Sequence, residues 1–388
     1  MRETKFKKTD IGLIPTDWCF VSLGDIGDVK MCKRIMKYQT SERGEIPFYK
    51  IGTFGKQADA FIPNVLYKSF REKYSYPKKG DILLSAAGTI GRTVIFDGEP
   101  SYFQDSNIVW IANDEQKLSN ALLYHIYKSL SWVTESGTIP RIYNGIIRSI
   151  KFAIPVNKDE QRKIAKALSD IDGLIQSLTK LIEKKKNIKT ATMQQLLTGK
   201  KRLEGFSEPW VETEIGDIIK IYKGQSLQSK NFINGNVPVV AGGQTYAGFH
   251  NLANHKKTSV TISASGAYAG YVWLHEYPIF ASDCSVIEGN DNVDIHFLYN
   301  VLKLKQNEIY KSQAGGAQPH IHPKDIEPIK IVIPFKNGKP LIEEQSAIAT
   351  ILSDMDAEIS ALEKKKAKYE FIKNGMMQEL LTGKIRLI

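Results

Sequence analysis

Hydrophobic residues recur at alternating spacings of four and three in two stretches of the chain, with polar residues between them. A period of 3.5 residues indicates a long helix with one narrow buried seam. The seam positions are Ile164, Leu168, Ile171, Ile175 and Leu178 in the first stretch, and Ile348, Leu352, Met355, Ile359 and Leu362 in the second. Each helix would be roughly 60 Å long. Because such a seam requires a partner, we expect the two helices to pair antiparallel.

The two stretches are copies of one sequence. The first begins EQRKIAKALSDID at Glu160 and ends MQQLLTGKKRL, and the second begins EQSAIATILSDMD at Glu344 and ends MQELLTGKIRL. The copies align without a gap. Asn157 suits the N-cap of the first helix, and Gly199 and Gly383 suit the left-handed position after a helix C-terminus. A simpler alternative is that these helices only dimerise the protein or brace a domain.

The segments outside the helices also repeat each other. We divide the chain into a first domain (1–155), a first long helix (156–203), a second domain (204–334) and a second long helix (335–388). Short β-rich runs broken by Gly, Asn and Pro, with one or two helices, predict that each domain is a compact α/β unit. The fold class is therefore α+β, with two similar domains and two long coiled-coil helices.

Matching landmarks occur in both domains, although the sequences between them differ almost completely. The matches are Trp18–Gly24 with Trp210–Gly216, Ser85-Ala-Ala-Gly88 with Ser263-Ala-Ser-Gly266, and Asp105 with Asp283 at the same offset of 178. One scaffold with different loops suits two modules that read different targets. Antiparallel pairing of the helices would relate the modules by a pseudo-two-fold axis.

Composition narrows the class of partner. Of the 388 residues, 42% are hydrophobic, which is typical of a globular protein. The formal net charge of +11 indicates a polyanionic partner. No apolar run is long enough to span a membrane, and the N-terminal MRETKFKKTD lacks the apolar core of a signal peptide. Three cysteines without close spacing predict neither disulfides nor a zinc site. We therefore expect a cytoplasmic protein.

The sequence lacks the loops that catalysis would need. It has no G-x-x-x-x-G-K-[ST] phosphate loop. Ser207-Glu-Pro-Trp210 is the nearest string to the base-gripping loop of an adenine methyltransferase, but it aligns with the start of the first domain. Glu183-Lys-Lys185 lies in a helical charge run, which favours a solvated helix face over a nuclease site. Metal-ligand spacing is absent around His250, His255, His320 and His322. We expect no catalytic residue, no metal and no cofactor.

Binding residues must therefore come from the loops that differ between the domains. Lysine and arginine suit phosphates, arginine also reads guanine, and glutamine or asparagine reads adenine in the major groove. The candidates in the first domain are Lys33, Arg34, Lys37, Tyr38, Lys50, Thr53, Arg92 and Arg141. The candidates in the second are Lys223, Gln225, Ser226, Lys230, Gln244, Tyr246, His250, Lys256 and Lys257. As sets, these clusters are expected to face double-stranded DNA.

With the motifs EQ..IA..LSD.D, LLTGK and IP.DW....GDI in place, the sequence resembles the specificity subunits of type I DNA restriction–modification systems. The resemblance covers nearly the whole chain, in the order target-recognition domain, helix, target-recognition domain, helix. It implies a subunit that recognises a split DNA sequence and docks two methyltransferase subunits, which modify adenine at N6. Restriction subunits with endonuclease and translocase activity would join that core. In that family the specificity subunit has no catalytic residue.

Two other classes of protein remain as alternatives. One is a single-chain or fused restriction–modification enzyme, against which the missing cofactor and nucleotide motifs count. The other is a structural coiled-coil adaptor without sequence readout, which gives no reason for duplicated scaffolds with diverged loops.

Overall fold

The computed structural model describes residues 5–132, 140–315 and 318–388. The chain forms two compact units, Met1–Ser177 with Lys366–Ile388, and Leu178–Lys365. Each unit contains one domain, part of the first long helix and part of the second. No helix in the described part of the chain has a stretch apolar enough to cross a lipid bilayer.

In its described residues, the first domain contains short strands and three short α-helices. Its strands are β1 (Phe6–Thr9), β2 (Gly12–Pro15), β3 (Trp18–Ser22), β4 (Gly27–Lys30), β5 (Ile46–Tyr49), β6 (Phe61–Ile62), β7 (Ile82–Ser85), β8 (Thr93–Ile95), β9 (Tyr102–Phe103), β10 (Ile108–Asn113) and β11 (Lys151–Pro155). Its helices are α1 (Asn64–Lys73), α2 (Asn120–Ser129) and α3 (Asn144–Ser149). The long helix α4 (Lys158–Leu196) follows.

The second domain has a similar order of elements. Its strands are β12 (Trp210–Glu214), β13 (Ile221–Lys223), β14 (Val237–Val240), β15 (Gly248–His250), β16 (Ser259–Ser263), β17 (Val272–His275), β18 (Phe280–Ala281), β19 (Cys284–Glu288), β20 (Lys330–Lys336) and β21 (Lys339–Pro340). Its helices are α5 (Ile215–Ile218), α6 (Ile295–Leu304), α7 (Gln306–Lys311) and α8 (Pro323–Ile326). The hairpin of β20 and β21 extends past residue 334, the domain boundary expected from the sequence, and the long helix α9 (Ile342–Leu380) follows it.

Both domains share one arrangement of strands, called here the shared frame. A four-stranded antiparallel sheet has the order β4-β10-β7-β8 in the first domain and β13-β19-β16-β17 in the second. A three-stranded sheet, β6-β5-β9 or β15-β14-β18, contains one parallel pair in each domain. The opening strand pairs antiparallel with the closing strand, β3 with β11 and β12 with β20. The predicted α+β class with two similar domains is confirmed.

The strand registers correct one of the sequence landmarks. Cys284 lies opposite Ser263 in the second domain, and Ile108 lies opposite Ser85 in the first. The residue before each strand is therefore Asp283 in one domain and Asn107 in the other. Asp105 does not match Asp283 in the shared frame, because the first domain has two additional residues immediately before β10.

The N-terminus of the first long helix and the C-termini of both long helices have the predicted local structure. The side-chain oxygen of Asn157 accepts hydrogen bonds from the backbone of Asp159 at 2.8 Å and of Glu160 at 3.4 Å, which confirms the N-cap. Gly199 and Gly383 have φ angles of +68° and +70°, as predicted. A Cβ atom at Gly199 would also lie 2.8 Å from the Trp210 ring, so a side chain there would be both strained and crowded.

The repeated glutamates begin the helices inside a buried ion pair. Glu160 is 1% exposed and accepts from Arg386 Nε at 2.6 Å and Nη2 at 2.8 Å. Trp18 Nε1 donates to the same carboxylate at 3.4 Å, and Arg386 also contacts Asp17. The hydrogen bond to Glu160 has the largest effect on the pKa of Arg386, the bond to Asp17 has the next largest, and both raise it.

The second unit repeats that ion pair at equivalent positions. Glu344 is fully buried and accepts from Arg202 Nε and Nη2, both at 2.8 Å, while Trp210 Nε1 donates to it at 3.3 Å. The arginine follows the end of one long helix and the glutamate starts the other. The two motifs EQ and LLTGK therefore meet in each unit, and the two contacts are called here the helix-end locks.

The adjacent glutamines join each long helix to its domain. Gln161 Nε2 donates to the carbonyls of Lys117 and Pro155, both at 2.8 Å. Gln345 Nε2 donates to the carbonyl of Asn292 at 3.0 Å, and its Oε1 accepts from Asp294 N at 3.1 Å. Both glutamines are fully buried. Their side chains bond to backbone groups of the domain, so the buried amides have the hydrogen-bond partners that burial requires.

Ion pairs fix the antiparallel direction of the helices within each unit. In the second unit Lys185 pairs with Glu358 at 2.7 Å, and Lys189 pairs with Asp356 at 2.5 Å. In the first unit Lys373 pairs with Asp172 at 2.5 Å. Residue numbers rise along α4 as they fall along α9, which confirms the antiparallel pairing.

Most predicted seam residues are buried, but the seams also serve another purpose. Seven are less than 9% exposed: Ile164, Leu168, Ile171, Leu178, Ile348, Leu352 and Ile359. Three are half-buried: Ile175, Met355 and Leu362. Ile164 and Leu168 belong to the core of the first domain together with Leu380. Each seam therefore begins as part of a domain core, which the 3.5-residue period alone did not predict.

Candidate nucleic-acid interface

Loops at one side of the first domain surround a cleft of about 470 Å³. The segment after β4, the end of β5 and the segment before β10 form its walls. Four of the predicted residues line this cleft: Arg34, Lys37, Lys50 and Arg141. The shared frame thus brings together cationic side chains that are more than a hundred residues apart in sequence.

Two acceptors hold the arginines of this cleft. Arg34 Nε donates to Asp105 Oδ2 at 2.8 Å, and Arg141 Nη2 donates to Asn107 Oδ1 at 3.0 Å. Lys50 forms an ion pair with Asp59 at 2.8 Å. Arg34 and Lys50 are thus paired with carboxylates, whereas Arg141 is held by a neutral amide, and each partner fixes the position of a hydrogen-bond donor in the cleft.

The other candidates of the first domain lie elsewhere or support the backbone. Lys33 lies over the Tyr74 ring, 5.1 Å from its centroid, and Tyr38 is 84% exposed. Arg92 is half-buried, and its Nη1 donates to the carbonyl of Phe54 at 2.9 Å. The Thr53 hydroxyl accepts from the backbone N–H of Lys50 at 3.1 Å. Thr53 and Arg92 thus shape the loop after β5.

In the second domain three loops converge at the corresponding end of the sheet. The backbone N–H of Gln225 donates to the carbonyl of Ala281 at 2.9 Å, so the segment after β13 lies against the segment before β19. The Ser263 hydroxyl donates to the carbonyl of Gly243 at 3.3 Å, which places the loop containing Gln244 nearby. Gln225, Ser226 and Gln244 are all exposed there.

A histidine in the second domain occupies the position of Arg141. The N–H of Gly88 donates to the carbonyl of Pro140, and that of Gly266 donates to the carbonyl of Pro319, both at 3.1 Å. Arg141 and His320 follow these prolines and form equivalent bridges to the neighbouring loop. The sequence favoured a strand end or a base contact over a metal ligand for His320, but did not place it among the candidate DNA-binding residues.

The acceptors of both domains were missed as well. Asp283 accepts from the Ser265 hydroxyl in the second domain, where Asn107 accepts from Arg141 in the first. Asp283 was named only as a sequence landmark and Asn107 was not named, because the predicted sets followed clusters of lysine and arginine with their polar neighbours. The signal available was their position directly before a buried strand.

Several candidates of the second domain do not join this cluster. His250 is 6% exposed, and its Nδ1 accepts from the N–H of Ile233 at 3.0 Å, so it packs in the domain interior. Lys256 and Lys257 lie at the Ser259 end of β16, whereas the clustered loops lie at its Ser263 end. Tyr246 stacks on Trp273 with ring centroids 4.9 Å apart. Lys223 is an exposed residue of β13, and Lys230 is exposed on the segment that follows.

The thiols near these loops are not reactive groups. Cys32 and Cys284 are 2% and 1% exposed, and burial raises the pKa of each to about 12. Within the described residues, no group of three or more His, Cys, Asp or Glu side chains could hold a metal ion.

Both domains match one family of known proteins. The family described as type I restriction modification DNA specificity domain matches residues 15–189 and again residues 207–370. The chain therefore belongs to this family.

Individual relatives agree with that assignment. The chain is 59% identical over 160 residues to a protein of Haemophilus influenzae named as a type I restriction enzyme specificity subunit, and the match covers 41% of each chain. A protein of Methanocaldococcus jannaschii with a similar name is 27% identical over 424 residues, which cover 100% of this chain and 98% of the relative. The crystal structure of a type I restriction–modification S subunit from M. genitalium has the same fold, with a TM-score of 0.68 at 20% identity over 97% of this chain and 98% of that one.

Proposed function

We propose that this chain is the DNA specificity subunit of a type I restriction–modification complex and is not catalytic by itself. The observation that carries this proposal is the shared frame, whose equivalent loops present different polar side chains in the two domains. Each domain, 1–155 and 204–334, would read one half of a bipartite double-stranded site. The long helices, within 156–203 and 335–388, would set the spacing of the halves.

The proposed partners follow from the family and from charge. The complex would contain two methyltransferase subunits that modify adenine at N6, with restriction subunits that cleave and translocate DNA, and it would act in the cytoplasm. A net charge of +11 supports a polyanionic ligand. The cleft of the first domain contains four of those cationic side chains, and the relatives' names as type I restriction enzyme specificity subunits support a restriction enzyme as the assembly.

The test combines methylation and binding. The purified chain with S-adenosylmethionine is expected to transfer no methyl group to DNA, whereas cells that also carry its methyltransferase partner should show adenine methylation at one bipartite motif. Methyl transfer by the chain free of partners would contradict the proposal in favour of a fused enzyme. Equal affinity of the assembled complex for motif and random DNA would favour a coiled-coil adaptor.

A further inference from the structure

One arginine in the cleft of the first domain has its side chain fixed but most of its donors free. The Arg34 side chain is 65% exposed, whereas that of its partner Asp105 is 15% exposed. Only Nε of Arg34 is engaged by a partner within the described residues, at 2.8 Å from Asp105 Oδ2. Both terminal nitrogens of the guanidinium therefore remain available as a planar fork.

The partner carboxylate is held by a feature that the second domain lacks. The first domain has two additional residues before β10, as the strand registers show, and Asp105 belongs to this insertion. The Ser106 hydroxyl donates to Asp105 Oδ2 at 3.3 Å, and Ser106 has a φ angle of +60°. A non-glycine residue in that conformation is uncommon and concentrates at functional sites.

The charge of this pair favours a base over a phosphate. A carboxylate 2.8 Å from Arg34 cancels most of its attraction for a phosphodiester, but leaves the directed donors of the fork in place. The cleft also contains Lys37, an exposed lysine without an ion-pair partner among the described residues, which suits phosphate. Phosphate contact and base contact are thus divided between different side chains.

Guanine is the base that matches a free arginine fork. It presents O6 and N7 side by side in the major groove, and both accept from the two terminal nitrogens of one arginine. We propose, as an extension of the proposed function, that Arg34 reads a guanine in the half-site of the first domain. Asp105 is its positioning residue, because it fixes the plane of the guanidinium and makes no contact with the base.

The second domain cannot repeat this contact. The registers of β4 and β13 place Ser226 at the position of Arg34. A serine hydroxyl bonds to several bases without distinguishing guanine strongly. The guanine contact is therefore a property of one half-site, and the other half-site is read by different chemistry.

The direct test removes one acceptor from the DNA. The assembled complex with its methyltransferase subunits is titrated with the motif duplex, in which the guanines of the first-domain half-site are replaced one at a time by 7-deazaguanine, which lacks N7. The wild-type protein should lose about tenfold in affinity at one guanine, and Arg34→Gln should show no further loss there. Equal losses for the wild-type and variant proteins at every guanine would overturn the assignment.

Variants of the neighbours separate positioning from charge. Asp105→Asn is expected to relax the preference at that one base pair in the methylated motif, with the thermal unfolding midpoint unchanged. Lys37→Gln, the matched control, should weaken binding to all sequences alike and leave the motif unchanged. If Asp105→Asn weakened all sequences uniformly, Asp105 would have no positioning role. If the wild-type complex methylated no defined motif, the proposed function itself would fail.

Discussion

The two domains share a frame and differ in the chemistry of their loops. The cleft of the first domain contains Arg34, Lys37, Lys50 and Arg141, whereas the equivalent loops of the second present Gln225, Ser226 and Gln244. The first domain also has the helix α1, which the second domain lacks in its described residues. Strand pairing and core packing depend on residues inside the frame, so the loops are free to differ without a loss of stability.

The largest expected effect tests whether the domains act independently. Exchange of Glu204–Pro334 for the same segment of a relative should replace one half of the methylated motif completely and leave the other half intact. The frame residues that contact the helices remain in both versions. Methylome sequencing of cells that carry the exchanged protein and its methyltransferase partner measures this. A change in both halves would mean that the two domains read DNA as one surface.

The helix-end locks test whether the two units are equally stable. Arg386→Met leaves Glu160 buried without its ion pair, and Arg202→Met does the same to Glu344. Removal of one partner of a buried pair typically costs about 3–5 kcal/mol. Both variants should therefore lose a similar free energy of unfolding in urea titrations.

A surface pair provides the control for the locks. Lys151 pairs with Asp10 where both side chains are at least half exposed. Lys151→Met should change the free energy of unfolding by less than about 1 kcal/mol. Locks no more costly than this surface pair would show that they contribute little to folding.

The seams offer a finer comparison. Leu168 and Leu352 occupy equivalent positions and are both fully buried, each in the core of its own domain. Leu168→Ala and Leu352→Ala should each lower the free energy of unfolding by about 2–5 kcal/mol. Calorimetry would show whether each substitution lowers the transition of its own unit. If both substitutions lowered the unfolding transition of the same unit, the assignment of each seam to its own domain would be wrong.

The smallest effect concerns acid sensitivity. His125 and Asn300 are both the sixth residue after the N-cap of their helices, α2 and α6, and both are buried. Burial lowers the pKa of His125 to about 4, so the unfolded chain binds a proton more readily than the folded one. Its contribution is present above the unfolded pKa of about 6.5 and is lost as the pH falls towards 4.

Replacement of this histidine should remove that sensitivity. Wild-type protein should lose about 2 kcal/mol more than His125→Asn between pH 7 and pH 5. Urea unfolding at the two pH values measures the difference. His275, whose pKa burial also lowers to about 4, remains in both proteins and contributes equally to each. Identical losses for the two proteins would mean that His125 is solvated in the folded state.

Periodicity and repetition predicted the frame and the helices because those features extend over many residues. The 3.5-residue seam identified both long helices, and the duplicated motifs identified both domains. The contact between Glu160 and Arg386 was not predicted, because it joins residues 226 apart whose meeting depends on the folded chain.

The loops could be predicted only as regions. A constant offset aligned Asp105 with Asp283, but two additional residues before β10 shift the true match to Asn107. His250 resembled an exposed polar residue, yet the alternation of β15 turns it inward and leaves Phe249 52% exposed. Residue type gives the chemistry of a loop, while strand register decides which side chains meet.

The contact of Arg386 with Asp17 has a topological consequence. It holds the segment after α9 beside the segment before β3, and Gly383 lies against Pro15 in the same place. In the second unit a covalent segment, 197–209, connects α4 to β12 instead. The order of domain, helix, domain and helix is therefore cyclic, with a peptide chain at the junction of α4 with β12 and only non-covalent contacts at the junction of α9 with β3. A circular permutant that opens at 204–206 and joins residue 388 to residue 5 through a short linker would keep both locks, because neither depends on which of the two junctions is covalent.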